Sequence, residues 1–137
     1  MFSTIVSPVD LAHAENLKKG LDVAVDLAKH YDASLTLLGV TSSAPGEVAH
    51  NPEEYAEKLS VFAKSLGDGT GVDVQTRVIM SNDPAVELES RLRDAAGDMN
   101  ADLVVMSSHK PGLLEYIVSA HAVTFASHTE RSVFIVR

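Results

Sequence analysis

The sequence predicts an α/β protein: a single domain built on a doubly wound, five-stranded parallel sheet with helices on both faces. Three observations predict it. Five short runs rich in Val, Ile and Leu alternate along the chain with four segments whose apolar residues recur at helical spacing. Strands alternating with helices imply a parallel sheet covered on both sides. In "DLVVMSSHKPG" (102–112) the apolar run Leu103–Met106 stops abruptly, and small polar residues, a histidine, a lysine, a proline and a glycine follow. A buried parallel strand looks like this where it empties into a loop at the mouth of a sheet.

The elements follow in order. "FSTIVSPVD" (2–10) reads as a strand rich in β-branched residues and closed by Pro8 and Asp10. Residues 13–32 read as one helix, with Leu17, Leu21, Ala24, Val25 and Ala28 on its apolar face. "ASLTLLGVTSS" (33–43) is a second strand, and 44–51 is a loop. The segment 43–51 is expected to be mobile and to border a pocket. Pro52 with Glu53 and Glu54 opens a helix that closes on glycines near 69. Val72, Val74, Thr76 and Val78 alternate with other residues, which predicts a strand over 72–82 with one face more exposed. Asp83 and Pro84 supply an N-cap and a first helical residue for a helix over 83–100. A strand over 103–106, a helix over 113–128 and a last strand "SVFIVR" (132–137) complete the chain.

Right-handed crossovers leave few topologies for this order. In such sheets ligands bind outside the carboxyl ends of the strands, where strand order reverses. Those ends are Pro8–Asp10, Val40–Ser42, Ser81–Asn82 and Ser107–Lys110.

Composition narrows the function. A chain of 137 residues is long enough to bury a core, and 45% apolar with 22% charged residues is ordinary for a globular protein. Without cysteine there is neither a disulfide nor a thiolate metal site. The formal charge of −8 argues against nucleic-acid partners and anionic membrane surfaces. No run approaches the roughly 20 apolar residues of a membrane span. "MFSTIVSPVD" has no basic region ahead of its apolar run, so a signal peptide is not expected and a cytoplasmic location is.

"TIVSPVD", "LTLLGV", "ADLVVMSSH" and "RSVFIVR" together resemble the universal stress protein family. The resemblance runs over the whole chain and implies one universal stress protein domain, 1–137. It implies an adenine-nucleotide alpha-hydrolase-like sheet of order 3-2-1-4-5 and a homodimer, placed here on the C-terminal strand 132–137. Members that bind ATP carry G-x2-G-x9-G-[S/T] after the fourth strand. Aligned on "MSSH", the first two glycine positions fall on Ser107 and Lys110. Aligned back from "VFIVR", the Gly-Ser pair falls on Ser119 and Ala120. All three glycines and the final hydroxyl are therefore missing from their places, and Gly112 lies beyond Pro111.

The resemblance keeps Asp10 at the adenine end, Val40 beside base and ribose, and Met106 and His109 at the loop. The candidate nucleotide pocket is thus Pro8, Asp10, Val40, Met106, Ser107, His109, Lys110 and Ser119, with a degenerate phosphate loop. This pattern resembles the subclass that does not bind ATP. No cofactor is expected, and ATP or AMP binds weakly at best.

Several residues carry more than one reading. Asp10 can contact a base or ribose, or cap the following helix. Lys110 can neutralise phosphate charge as a point cation, or sit solvated in its loop. Ser107 and Ser108 are expected to satisfy local backbone groups. His121 and His128 lie seven apart, not at the i, i+4 spacing of a helical metal pair, so no metal site is expected. Glu87 and Glu89 are expected on a solvated helix face. No nucleophile motif accompanies a general base. The expected function is a stress-response protein that acts by binding and dimerisation rather than catalysis, with a further protein partner unidentified. The alternatives are an ATP or AMP sensor using the retained pocket and, more weakly, a slow ATPase.

Overall fold

In the computed structural model, which describes residues 1–108 and 116–137, the alternation is realised in full. The order is β1 (Thr4–Val9), a 3-10 helix (Leu11–Leu17), α1 (Lys18–Tyr31), β2 (Ser34–Thr41), α2 (Pro52–Gly67), β3 (Val74–Met80), α3 (Pro84–Asp98), β4 (Leu103–Ser107), α4 (Tyr116–His128) and β5 (Ser132–Val136). The strands form one parallel sheet of order β3-β2-β1-β4-β5.

The two-residue period of the strands sorts the core into two faces. Ile5, Leu35, Leu103 and Val105 pack against Ala24, Val25 and Ala28 of α1. Val9 and Leu37 pack against Tyr55, Leu59 and Ala63 of α2. On the other face Val6, Leu38, Val104 and Met106 meet Leu88, Leu92 and Ala96 of α3 and Phe125 of α4. Gly39 lets α2 come close to the sheet. A Cβ there would lie 2.8 Å from both Leu59 Cδ2 and the Tyr55 hydroxyl.

The predicted helix over 13–32 is two pieces. Asp10 Oδ1 accepts the Ala12 N–H at 3.0 Å, and His13 N–H donates to the Asp10 carbonyl at 3.0 Å. These bonds tighten the first turn, and His13 departs from helical geometry (φ −129°, ψ 29°). The regular helix starts only at Lys18. It ends at Asp32 in the left-handed region (φ 53°), whose N–H reaches the Ala28 and Lys29 carbonyls.

The α2 helix is capped as its sequence suggests: Asn51 Oδ1 accepts the Glu54 N–H at 2.8 Å, with Pro52 next. The start of α3 differs from expectation. Asp83 holds the N-cap position, but its side chain caps nothing. Glu87 instead ties the first turn back to the end of β3, taking the Ser81 hydroxyl at 2.7 Å. Neither Glu87 nor Glu89 is merely a solvated acid. Glu89 receives His128 Nδ1 at 2.9 Å, which ties the end of α4 to α3.

Strand order reverses at β1, which lies between β2 and β4. The β1–β4 register runs only Ile5↔Leu103 and Val6↔Val104. Beyond it Pro8 has no N–H to offer. The buried Ser7 hydroxyl donates to the Val105 carbonyl at 2.9 Å. A proline in a central strand thus marks where the two strands part, at the mouth of the sheet.

Candidate functional site

A cavity of about 180 Å³ opens at that mouth, on the α3 face. Pro8, Val9 and Asp10 of the β1 end, Leu38 and Val40 of β2, and Pro84, Leu88 and Leu92 of α3 line it. Seven of these eight side chains are apolar, and Asp10 is the one ionisable group among them. Apolar cavities of about 150 Å³ hold flat rings such as benzene. Such walls with a single carboxylate at the rim suit a planar apolar ring that carries hydrogen-bond donors. The α3 residues were not singled out as site residues. Leu88 and Leu92 carry a signal only as the apolar side of their helix. That periodicity gives the buried face without saying that part of it lines a hollow.

Asp10 caps and lines at once. It caps the turn through Oδ1 and sits on the cavity rim. Its Oδ2 lies 2.9 Å from His13 Nδ1. A carboxylate only accepts, so Nδ1 carries the proton of that bond. Behind Asp10, on the α2 side, Tyr55 is 5% exposed. Burial, and secondarily the Asp10 charge, push its phenol up to about 12. Near the entrance, the Ser81 hydroxyl foremost holds the Glu87 carboxyl below its ordinary range, followed by Arg91 and the turn's N–H groups. That turn sets the start of α3, and so the position of Pro84.

The other candidate residues are placed differently. Met106 is fully buried in the α3–α4 core. The Ser107 side chain points to the opposite face, where a Cβ on Gly20 of α1 would lie 2.0 Å from its Oγ. Ser108 N–H donates to the Val136 carbonyl at 2.7 Å, as a local backbone role predicts. Ser119 falls within α4. His109 and Lys110 lie outside the described residues.

The segment 43–51 does not line this cavity. Val48 and Ala49 are apolar and pack beside Tyr55 and Leu59 on the other face of the sheet. Gly46 N–H to the Ala49 carbonyl (2.9 Å) and Lys58 to the Val48 carbonyl fasten it there. Among the described residues, no group of three or more His, Cys, Asp or Glu could hold a metal ion.

A parallel sheet of order 3-2-1-4-5 with helices on both faces has the fold of the adenine-nucleotide alpha-hydrolase-like class of α/β proteins. The model of the universal stress protein family matches residues 1–137, and the chain belongs to that family. Universal stress protein G of Escherichia coli O157:H7 is 25% identical over 146 residues, spanning 100% of each chain. Among solved structures, a universal stress protein in complex with cAMP matches with a TM-score of 0.73 at 17% identity, over 99% of this chain and 97% of that one. The Archaeoglobus fulgidus universal stress protein in complex with dAMP matches with a TM-score of 0.69 at 17% identity, over 99% and 98%. At such identities these structures establish the fold.

Proposed function

We propose that this universal stress protein acts by binding rather than turnover, through a nucleoside pocket whose phosphate grip has been lost. The observation that carries the reading is a mismatch between two halves of one site. The cavity is open and apolar, with Asp10 on its rim. The positions that align with the glycines of the family's phosphate motif hold Ser107, Lys110 and Ser119 instead.

A phosphate cradle needs backbone N–H groups that approach the oxygens closely and tolerate positive φ. Side chains at these positions oppose both. Losing two charge-assisted phosphate bonds, at roughly 1.5–3 kcal/mol each, weakens ATP by a hundredfold or more.

The solved relatives with cAMP and dAMP favour a second, related reading. In it the occupant is a nucleoside monophosphate and the protein is its sensor. The −8 charge supports partners other than nucleic acid, and no described helix is long and apolar enough to cross a membrane. The acting unit is a homodimer joined along β5. Mass spectrometry of the purified, then denatured protein tests the reading. The expected result is no stoichiometric ATP. One ATP carried through per chain contradicts it.

A further inference from the structure

We propose that His13 is a positioning residue for the Asp10 carboxylate, and that this pair couples recognition of a donor-bearing ligand in the cavity to a proton. The proposal deepens the nucleoside reading and rests on it.

Among the described residues Asp10 is the cavity's single ionisable lining group, and both of its oxygens are engaged from within the chain. Oδ1 takes the Ala12 N–H at 3.0 Å, and Oδ2 takes His13 Nδ1 at 2.9 Å. A carboxylate offers about four acceptor positions. Two bonds from two directions therefore fix its plane and leave about two positions for a ligand's hydroxyl or amine. The Ala12 bond alone would hold one oxygen and leave the plane free to turn. The Asp10 and His13 side chains are 37% and 39% exposed, so the pair adds little to folding. Its consequence is orientation at the rim.

Imidazole is the side chain that exchanges a proton between pH 5 and 8. A neutral ring donates through Nδ1 and leaves Asp10 its full charge. An imidazolium offsets that charge and makes Asp10 a poorer acceptor for the ligand. Described charged groups on the neighbouring helices pair with one another. Lys18 pairs with Asp22 on α1 at 2.5 Å, and Lys58 with Glu54 on α2 at 3.2 Å. Glu15 lies on the same short segment, and the Tyr55 phenol of α2 stays neutral below about pH 12.

Adenosine, which carries an amine and hydroxyls but no phosphate, is the probe. Its affinity is measured by NMR titration at pH 5.5 and pH 8 for the wild type, His13→Asn, His13→Phe and Asp10→Asn. Thermal melting checks that each variant folds. The wild type is expected to bind about fivefold tighter at pH 8 than at pH 5.5. His13→Asn places an amide donor near the Nδ1 position without a titrating group. It should keep the high-pH affinity and lose the pH dependence. His13→Phe should bind about fivefold more weakly at pH 8, with a flat profile. His13→Phe with the wild-type affinity and profile overturns the proposal while the nucleoside reading stands. A flat wild-type profile overturns the proton coupling. No binding of millimolar adenosine by the wild type overturns the nucleoside reading, and this proposal with it.

Discussion

Gly39 and Gly20 are the positions where a single methyl group reports most on the packing. At Gly39 the new Cβ meets the Tyr55 ring at 2.9 Å and Leu59 at 2.8 Å, and both belong to a packed helix face. Gly39→Ala should therefore destabilise by about 1–3 kcal/mol in chemical denaturation. An unchanged midpoint would mean that α2 does not lie where the fold places it. At Gly20 the obstacle is the Ser107 Oγ, which can rotate, so helix propensity and crowding are nearly balanced. Gly20→Ala should be nearly neutral in the wild type and add up to about 1 kcal/mol in a Ser107→Gly background. Equal effects in both backgrounds would refute the contact. This pair also shows where the Ser107 side chain lies, which the sequence alone does not tell. Strand alternation sends its side chain to the α1 face, while the site opens on the α3 face. Tyr55 gives a pH test. Its folded value is raised from 10.0 to about 12, so the stability linked to the neutral phenol is complete below pH 10 and is lost as pH rises through 12. Tyr55→Phe should remove that part of the alkaline transition in a circular-dichroism titration.

At the scale of elements, the strands and helices were legible because period and punctuation agree in this chain. Apolar runs end on Pro, Asp, Ser or Gly, and Pro52 and Pro84 open helices as they should. The 3-10 segment was not legible. Its apolar spacing continues into α1, and the break comes from Asp10 and His13 bonding locally. The Glu87 turn was hidden for a similar reason. An acid in a first helical turn reads as a favourable surface charge, and its reach back to Ser81 depends on where β3 ends. Asp10 and Val40, candidates because they end strands at the mouth, line the cavity. Pro84, Leu88 and Leu92 were missed because only tertiary packing tells a lining residue from a core residue. The start of α2 carries its own prediction. The His50 N–H, foremost, then Lys58 and the His50 ring, lower the Glu54 carboxyl from 4.5 to about 2. Its contribution is present above pH 4.5 and lost as pH falls through about 2. Glu54→Gln should weaken the helix at neutral pH and blunt the acid transition. An acid transition identical in the two proteins would contradict this arrangement.

At the scale of the molecule, the sheet ends on β3 and β5, whose outer edges pair with no other strand among the described residues, and they differ. The β3 edge carries Gln75 and Arg77, and Arg77 pairs with Asp98 at 3.2 Å. The β5 edge presents Phe134 at 46% exposure, and α4 beside it presents Val123 at 54%. A free apolar strand edge invites pairing with a second copy, and a two-fold arrangement satisfies both chains at once. Phe134→Lys should therefore give a folded monomer in sedimentation at micromolar concentration. Deleting 132–137 should also lower stability, because Val136 is buried and β5 pairs along all of β4. A wild-type monomer at that concentration would rule the dimer out.

The central claim is that the molecule keeps a base-and-ribose hollow and has lost its hold on a triphosphate. Calorimetric titration of one protein preparation with adenosine and with Mg-ATP tests it most directly, because the two ligands differ only in what the glycines would have held. The account predicts dissociation constants within about tenfold of each other, both weak, since Ser107, Lys110 and Ser119 return charge or hydroxyls without the close backbone approach. Mg-ATP binding in the low micromolar range, a hundredfold or more tighter than adenosine, would contradict it.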